Sequence, residues 1–399
     1  FEQALEALQH LPESRQKIEQ AIDVRIDMRS SLQPLGEQGK ILEHMREAEV
    51  LAETLHDQQR LGQVSAYLSG YFIQAGDDPT RAVEKGQRAL EISSSAKNFA
   101  LQVQANHFLA SAYHYLGDYD RALTHFRRNV DTLAGDQIYE RFGLAFLPSV
   151  GSRYQLVMLL AERGEFDEAA LHGIEAVRIA ETANHPFSLS TAYYAVGYLY
   201  ISKGAIDEAI GLLKRNLDFC RSWNLHQNLR RVAAALGYAY AAAGLIGEAV
   251  PLLDLAYERL RLGSARTQLA QLAQAYLLIG KREEAGFIAS QALDTSRRHA
   301  ERGREAEALY VLGEIGLSTI PVDITRGQDH YRQAMVRADE IGLRPLMAHC
   351  HVGLGKLYRE GRNLNQAKEH LTTGLAMMRE MEMELWLKKA EAELKVMSL

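Results

Sequence analysis

The feature that most constrains this chain is a pattern that returns along it: a Leu, then Gly or Ala, a Tyr three places on, a Gly four after that and an Ala five further. The best copies are LASAYHYLGDYDRA (109 to 122), VGYLYISKGAIDEA (196 to 209), LGYAYAAAGLIGEA (236 to 249) and LAQAYLLIGKREEA (272 to 285). Each position has a physical reason. Small residues at Ala110, Gly197, Gly237 and Ala273 let paired helices approach, and Tyr113, Tyr200, Tyr240 and Tyr276 fill the space between them. Gly117, Gly164, Gly204, Gly244 and Gly280 suit a turn that needs positive φ at the end of the first helix. Ala122, Ala169, Ala209, Ala249 and Ala285 lie where a larger side chain would push the second helix off the first.

With Ala82 and Ala367 added, the marker alanines are spaced by 40, 47, 40, 40, 36 and 82 residues. The pattern resembles the tetratricopeptide repeat, with a period near 40 that helices one turn longer than usual would explain. The last gap holds a degenerate repeat: VLGEIG (311 to 316) starts it, LSTIPVD interrupts it and HYRQAM (330 to 335) supplies its second helix. Two turns should differ locally, because Gly361 sits one place early and Asp77-Asp78-Pro79 adds a residue before Ala82. Prolines fall in turns or first turns of helices, with Pro251 the doubtful one. No segment alternates at period two, so strand is not expected. The expectation is an all-α chain: a right-handed superhelical solenoid of antiparallel helix pairs running through residues 1–399. It divides into a truncated repeat and lead-in (1–60), repeats (61–132), a long connection (133–150), repeats (151–300), the degenerate repeat (301–342) and a last repeat with a capping helix (343–399).

Composition narrows the function. A chain of 399 residues is too long for one globular core, which suits an elongated array. Its 51 acidic against 45 basic side chains leave a net charge of -6, which gives no general attraction to nucleic acid or anionic lipid. Cys220 and Cys350 lie far apart without CxxC spacing, so neither a disulfide framework nor a zinc site is indicated and a reducing cytoplasm fits. No apolar run approaches the roughly 20 residues of a membrane span.

Several stretches are more particular than helix packing requires: YERFGLAFLPSVGSR (139 to 153), ANHPFSLSTAYYAVGYLY (183 to 200), ERGREAEALYVLGEI (301 to 315), LRPLMAHCHVGLGKLY (343 to 358), MREMEMELWLKKAEAEL (378 to 394) and the opening segment from Ala4 to Glu37. Together they resemble the C-terminal repeat region of bacterial signalling proteins in which class III nucleotide cyclase domains lead into an AAA/STAND-type ATPase. The resemblance implies a regulatory arm whose nucleotide sites lie elsewhere. FEQALEAL (1 to 8) then reads as the second helix of a repeat whose first helix is absent.

Catalytic motifs fail their mechanical requirements. GLGK (353 to 356) has Cys350 where a phosphate loop needs glycine and no Ser or Thr after Lys356. LPSVG (147 to 151) has Leu147 where a nucleophile elbow needs glycine, and reads as a linker with Pro148 opening a helix. His349 and His351 point about 200° apart on a helix and cannot easily share a metal. No catalytic residue, cofactor or metal ligand is assigned. The dyads Arg127-Arg128, Arg230-Arg231 and Arg297-Arg298 read as solvated faces, with Arg231 placed inward by its register.

Registering each repeat on its Leu/Gly pair gives inward positions five and two before the leucine and two, five and six after it. These are His107, Ser111 and His114, then Tyr154 and Met158, Tyr194 and Tyr198, Arg231 and Tyr238, and Gln274. Tyrosine offers rigid apolar area with a hydroxyl, which suits a partner-binding groove. Packing of helix on helix is the alternative for Tyr154 and Tyr194. The leading expectation is a non-catalytic module that binds a protein or peptide, or the upstream domains of its own polypeptide, in that groove. The alternatives are a small-molecule effector sensor, and an oligomerisation scaffold acting through Met377, Met378, Met381, Met383 and Trp386. The connection with Tyr139, Arg141 and Phe142 could itself fold back into the groove as a plug.

Overall fold

The computed structural model describes residues 1–32, 37–75, 78–260 and 268–396, so Asp77 and the segment around Leu35 lie outside the described residues. The regular elements among the described residues are all helices, without strand. Two short units lead in, α1 (Glu2–Gln9) and the pair α2 (Arg15–Leu32) and α3 (Gln38–Thr54). Antiparallel pairs follow: α4 (Gln58–Ala75) with α5 (Pro79–Ser95), and α6 (Phe99–Leu116) with α7 (Tyr119–Thr132). A 3-10 turn at Gly135–Tyr139 lies in the connection to α8 (Pro148–Arg163). The next pairs are α8 with α9 (Phe166–Thr182), α10 (Pro186–Lys203) with α11 (Ile206–Ser222), α12 (His226–Ala242) with α13 (Ile246–Leu260), and α14 (Leu269–Leu278) with α15 (Arg282–Arg298). The degenerate repeat is α16 (Arg302–Ser318) with α17 (Ile324–Ile341). It is followed by α18 (Arg344–Glu360) with α19 (Leu364–Glu380), and by α20 (Glu384–Val396).

The architecture is a solenoid of tetratricopeptide type. Its long period comes from helix length: α10 has 18 residues and α11 has 17, joined by turns of two or three. All seven marker alanines are fully buried, as close helix pairing requires. A methyl group on Gly197 would stand 2.5 Å from Leu213, which explains the small residue there. The first helices α6, α8, α10, α12 and α14 end on left-handed glycines, Gly204 at φ 90 among them, whereas α16 ends on Thr319 in an extended conformation. In the last repeat the left-handed position passes to Arg362 at φ 59, because Gly361 comes one residue early. Asp78 caps α5 by accepting the amide of Arg81, and Asp323 at the end of the insertion caps α17 by accepting that of Arg326. Pro251 lies inside α13.

The chain packs as two compact units. The first comprises Phe1–Tyr115 with Asp120–Pro148, and the second Leu116–Tyr119 with Ser149–Leu399. The first unit has its own core, including Ile22, Met45, Leu68, Phe72, Phe108 and Leu144. In the second unit, the turn between α19 and α20 meets the turn after α8, and α20 itself runs past the turn after α10 and the end of α12. Met381 sits against Gly164, Trp386 against Gly204, and Lys389 Nζ donates to the Ala242 carbonyl at 3.5 Å. Lys203 adds an ion pair with Glu382 at 3.1 Å. Met378, Met381 and Met383 are thereby buried within the chain itself, and Met377 and Trp386 are half-buried.

Candidate functional site

The ten inward positions divide between the two units. In the first, His107, Ser111 and His114 lie along α6 and are buried. The Ser111 hydroxyl donates to the His107 carbonyl at 2.9 Å. The His107 ring packs among Phe108, Phe126 and Phe146, and its burial lowers its pKa to about 4, so the imidazole is neutral near pH 7.

The other seven lie on the first helices of the second unit. Met158, Tyr194 and Tyr238 are buried, whereas Tyr154, Tyr198, Arg231 and Gln274 are half-buried on α8, α10, α12 and α14. Arg231 organises the group. Its guanidinium lies 5.7 Å from the Tyr154 ring centre and 5.4 Å from that of Tyr194, donates to the Tyr154 hydroxyl at 3.0 Å and to Asn228 Oδ1 at 2.9 Å. Gln268, just before α14, donates to the Tyr194 hydroxyl at 3.2 Å. Both bonds span two repeats, from α12 to α8 and from the start of α14 to α10.

Further in, the face becomes charged. Glu162 accepts the hydroxyl of Tyr119, and Arg304 pairs with Glu307 at 3.0 Å. Burial raises the Tyr198 hydroxyl well above the usual tyrosine range; Glu162 and Glu307 reinforce the shift and Arg304 opposes it. Burial also pushes Tyr194 up to about 12 and raises Tyr238, with Glu314 adding to the latter. The His349 ring meets Tyr310 and Trp386, and burial lowers it to about 4. His351 faces elsewhere, its Nδ1 lying 3.0 Å from that of His370.

Sequence reasoning missed Gln104, Glu162, Glu307, Tyr310, Glu314 and His349, although the same register marks them. Gln104 stands five before Leu109, and Glu162 six after Leu156. Glu307, Tyr310 and Glu314 keep the spacing around Leu312, while His349 stands five before Leu354. GLGK lies within α18, where Gly353 faces Tyr331, Gly355 faces Leu371 and Lys356 pairs with Glu393. Among the described residues no group of three or more His, Cys, Asp or Glu converges on a metal-sized site, and no helix is long and apolar enough to cross a membrane.

Residues 62–279 match the family model described as MalT-like TPR region. A tetratricopeptide repeat protein 29 of Trypanosoma brucei brucei is 25% identical over 162 residues, 40% of this chain and 32% of that protein's length. The chain therefore spans about a third of that relative. Among solved structures, aspartyl phosphate phosphatase F of Bacillus subtilis is similar at 14% identity and a TM-score of 0.47, covering 92% of this chain and 95% of that one. A second is a STAND protein with a tetratricopeptide-repeat sensor from Pyrococcus horikoshii, at 14% identity and a TM-score of 0.46, covering 90% of this chain and 55% of that one.

Proposed function

This chain belongs to the family of MalT-like TPR regions, and from that membership we propose a non-catalytic regulatory module that takes a protein or peptide segment on the inner face of its second unit. We further propose that it is the C-terminal arm of a larger signalling ATPase or nucleotide cyclase and gates that protein's output. The observation that carries the binding reading is the cation held over two rings. Arg231 is already fixed by Tyr154 and Asn228, with Tyr198 and Gln274 half-exposed on the neighbouring first helices. A preorganised guanidinium between aromatic rings suits a carboxylate or a backbone carbonyl of an incoming segment, with little side-chain entropy left to lose.

Affinity capture from an extract of cells that make the protein tests this, comparing the wild type with Tyr198→Ala/Arg231→Ala. A protein retained by the wild type and lost by the variant is expected; equal retention removes the inner face from the reading. A compact effector is the second reading. It is favoured by the bonds from Arg231 to Tyr154 and from Gln268 to Tyr194, which draw the face in around a charged centre. An oligomer held by the terminal methionines would require Met381 to leave the turn at Gly164 and the buried Met378 and Met383 to come to the surface.

A further inference from the structure

The first unit also has an inner face, and the chain's own connection lies on it. Gln104 Nε2 donates to the Phe142 carbonyl, and the Tyr67 hydroxyl donates to the Gly143 carbonyl at 3.2 Å. The Phe142 ring meets Phe99 edge-on at 5.7 Å, Leu144 is buried in the core, and the Phe146 ring lies 4.9 Å from that of His107. Two successive carbonyls are thus read by side chains of α4 and α6, while alternate side chains enter apolar seats. This is how a helical groove holds an extended peptide.

Three observations mark the seat as imperfectly matched to this occupant. Phe142 has φ 47 and Gly143 φ 77, and Phe142 is the one non-glycine residue with positive φ among the described residues that does not follow a helix. Such a bulky residue is held there only by its surroundings. Beneath the segment, Gln104 Oε1 and His107 Nδ1 are buried without a hydrogen-bond partner. A buried polar atom left unpaired is costly, and an occupant with a donor there would relieve it. The segment is also partly self-held, since Leu144 N–H and Arg141 Nε close a turn between Arg141 and Leu144.

We propose that the face built by Tyr67, Phe99, Gln104 and His107 is a peptide site, occupied in cis by residues 142–146 and open to an extended protein segment that displaces them. The partner has an aromatic residue, a glycine and a leucine in succession, with a hydroxyl or amide side chain two places after the leucine to satisfy His107. This site is separate from the second unit's inner face and stands or falls without it.

The test uses the full chain and a labelled peptide of residues 140–147, read by fluorescence anisotropy. With Gly143→Val/Leu144→Ser the cis segment is dislodged. The peptide is then expected to bind about ten-fold or more tightly than to the wild type, because cis occupancy lowers the competent fraction. Adding Gln104→Ala should weaken that binding, and a peptide carrying Phe146→Asn should bind more tightly than the native one. No binding to a variant that keeps its helical circular dichroism overturns the proposal. Native-state hydrogen exchange on the wild type decides independently of any variant. The Leu144 amide is expected to open at lower free energy than the amides of α4 and α6. Exchange of Leu144 only with those helices would make the segment a permanent part of the core and also overturn the proposal.

Discussion

The inner faces of the two units follow one register and end in opposite chemistry. On the first, Gln104 and His107 meet Phe142 and Phe146 of the connection, and the face is covered by apolar side chains of the chain itself. On the second, Arg231 donates to Tyr154 two repeats away, Glu162 accepts from Tyr119, and Arg304 pairs with Glu307 on its own helix, so polar groups bond to one another there. The repeat scaffold therefore decides which positions point inward. The residue placed there, and whether a loop can reach it, decide whether the face is filled or kept polar.

Leu144→Ala should break the contrast most severely, because it empties an apolar seat in the first unit that only the connection fills. A loss of about 2 to 5 kcal/mol is expected, read as lowered hydrogen-exchange protection in α4 and α6. A change near zero would mean that the connection contributes little to that face.

Acid should come next. His107 has a folded pKa of about 4 against 6.5 ordinarily, so between these values the unfolded chain binds more protons and stability falls as pH falls. The full contribution is about 3 kcal/mol, present above pH 6.5 and lost towards pH 4. Titrating unfolding of the wild type against His107→Leu checks this, the variant losing less stability over that window. His349 and His351 give the second unit the same direction of change, each being lowered to about 4.

Gly143→Ala is smaller. The new methyl would meet Gln104 Nε2 at 3.2 Å and the Tyr67 hydroxyl at 3.3 Å with φ at 77, for a cost of about 1 to 2 kcal/mol. It should appear as faster exchange of the Leu144 amide.

Arg231→Ala in the second unit should cost about 1 kcal/mol, the net worth of hydrogen bonds to Tyr154 and Asn228 at a half-exposed position. Arg178→Ala, which removes an exposed pair with Glu175, should stay under about 0.5 kcal/mol. Equal effects in thermal unfolding would show that the inner position of Arg231 confers nothing beyond a surface charge.

Much of this was legible in the residues. The marker alanines announced close helix pairing and are buried, the turn glycines announced left-handed backbone and adopt it, and Pro148 opens α8. The inward register even covers residues that went unread. Glu307, Tyr310 and Glu314 carry no partner-binding signal in a repeat interrupted by LSTIPVD, although Leu312-Gly313 gives its register, and a lone glutamine such as Gln104 carries no signal of its own. The register could not say which inward side chains stay accessible: Tyr194 and Tyr238 are buried while Tyr198, on the same stripe, is half-buried.

The sequence by itself determined the repeat, its helix pairs and its turns. These follow from local spacing and from contacts between neighbouring repeats, which a periodic pattern encodes directly. Only the tertiary structure decided that the chain packs as two units, that residues 142–146 lie against α4 and α6, and that α20 meets the turn after α10 and the end of α12. Those outcomes depend on small rotations from one repeat to the next, summed over many repeats, and on the reach of an irregular connection. No single motif records such a sum.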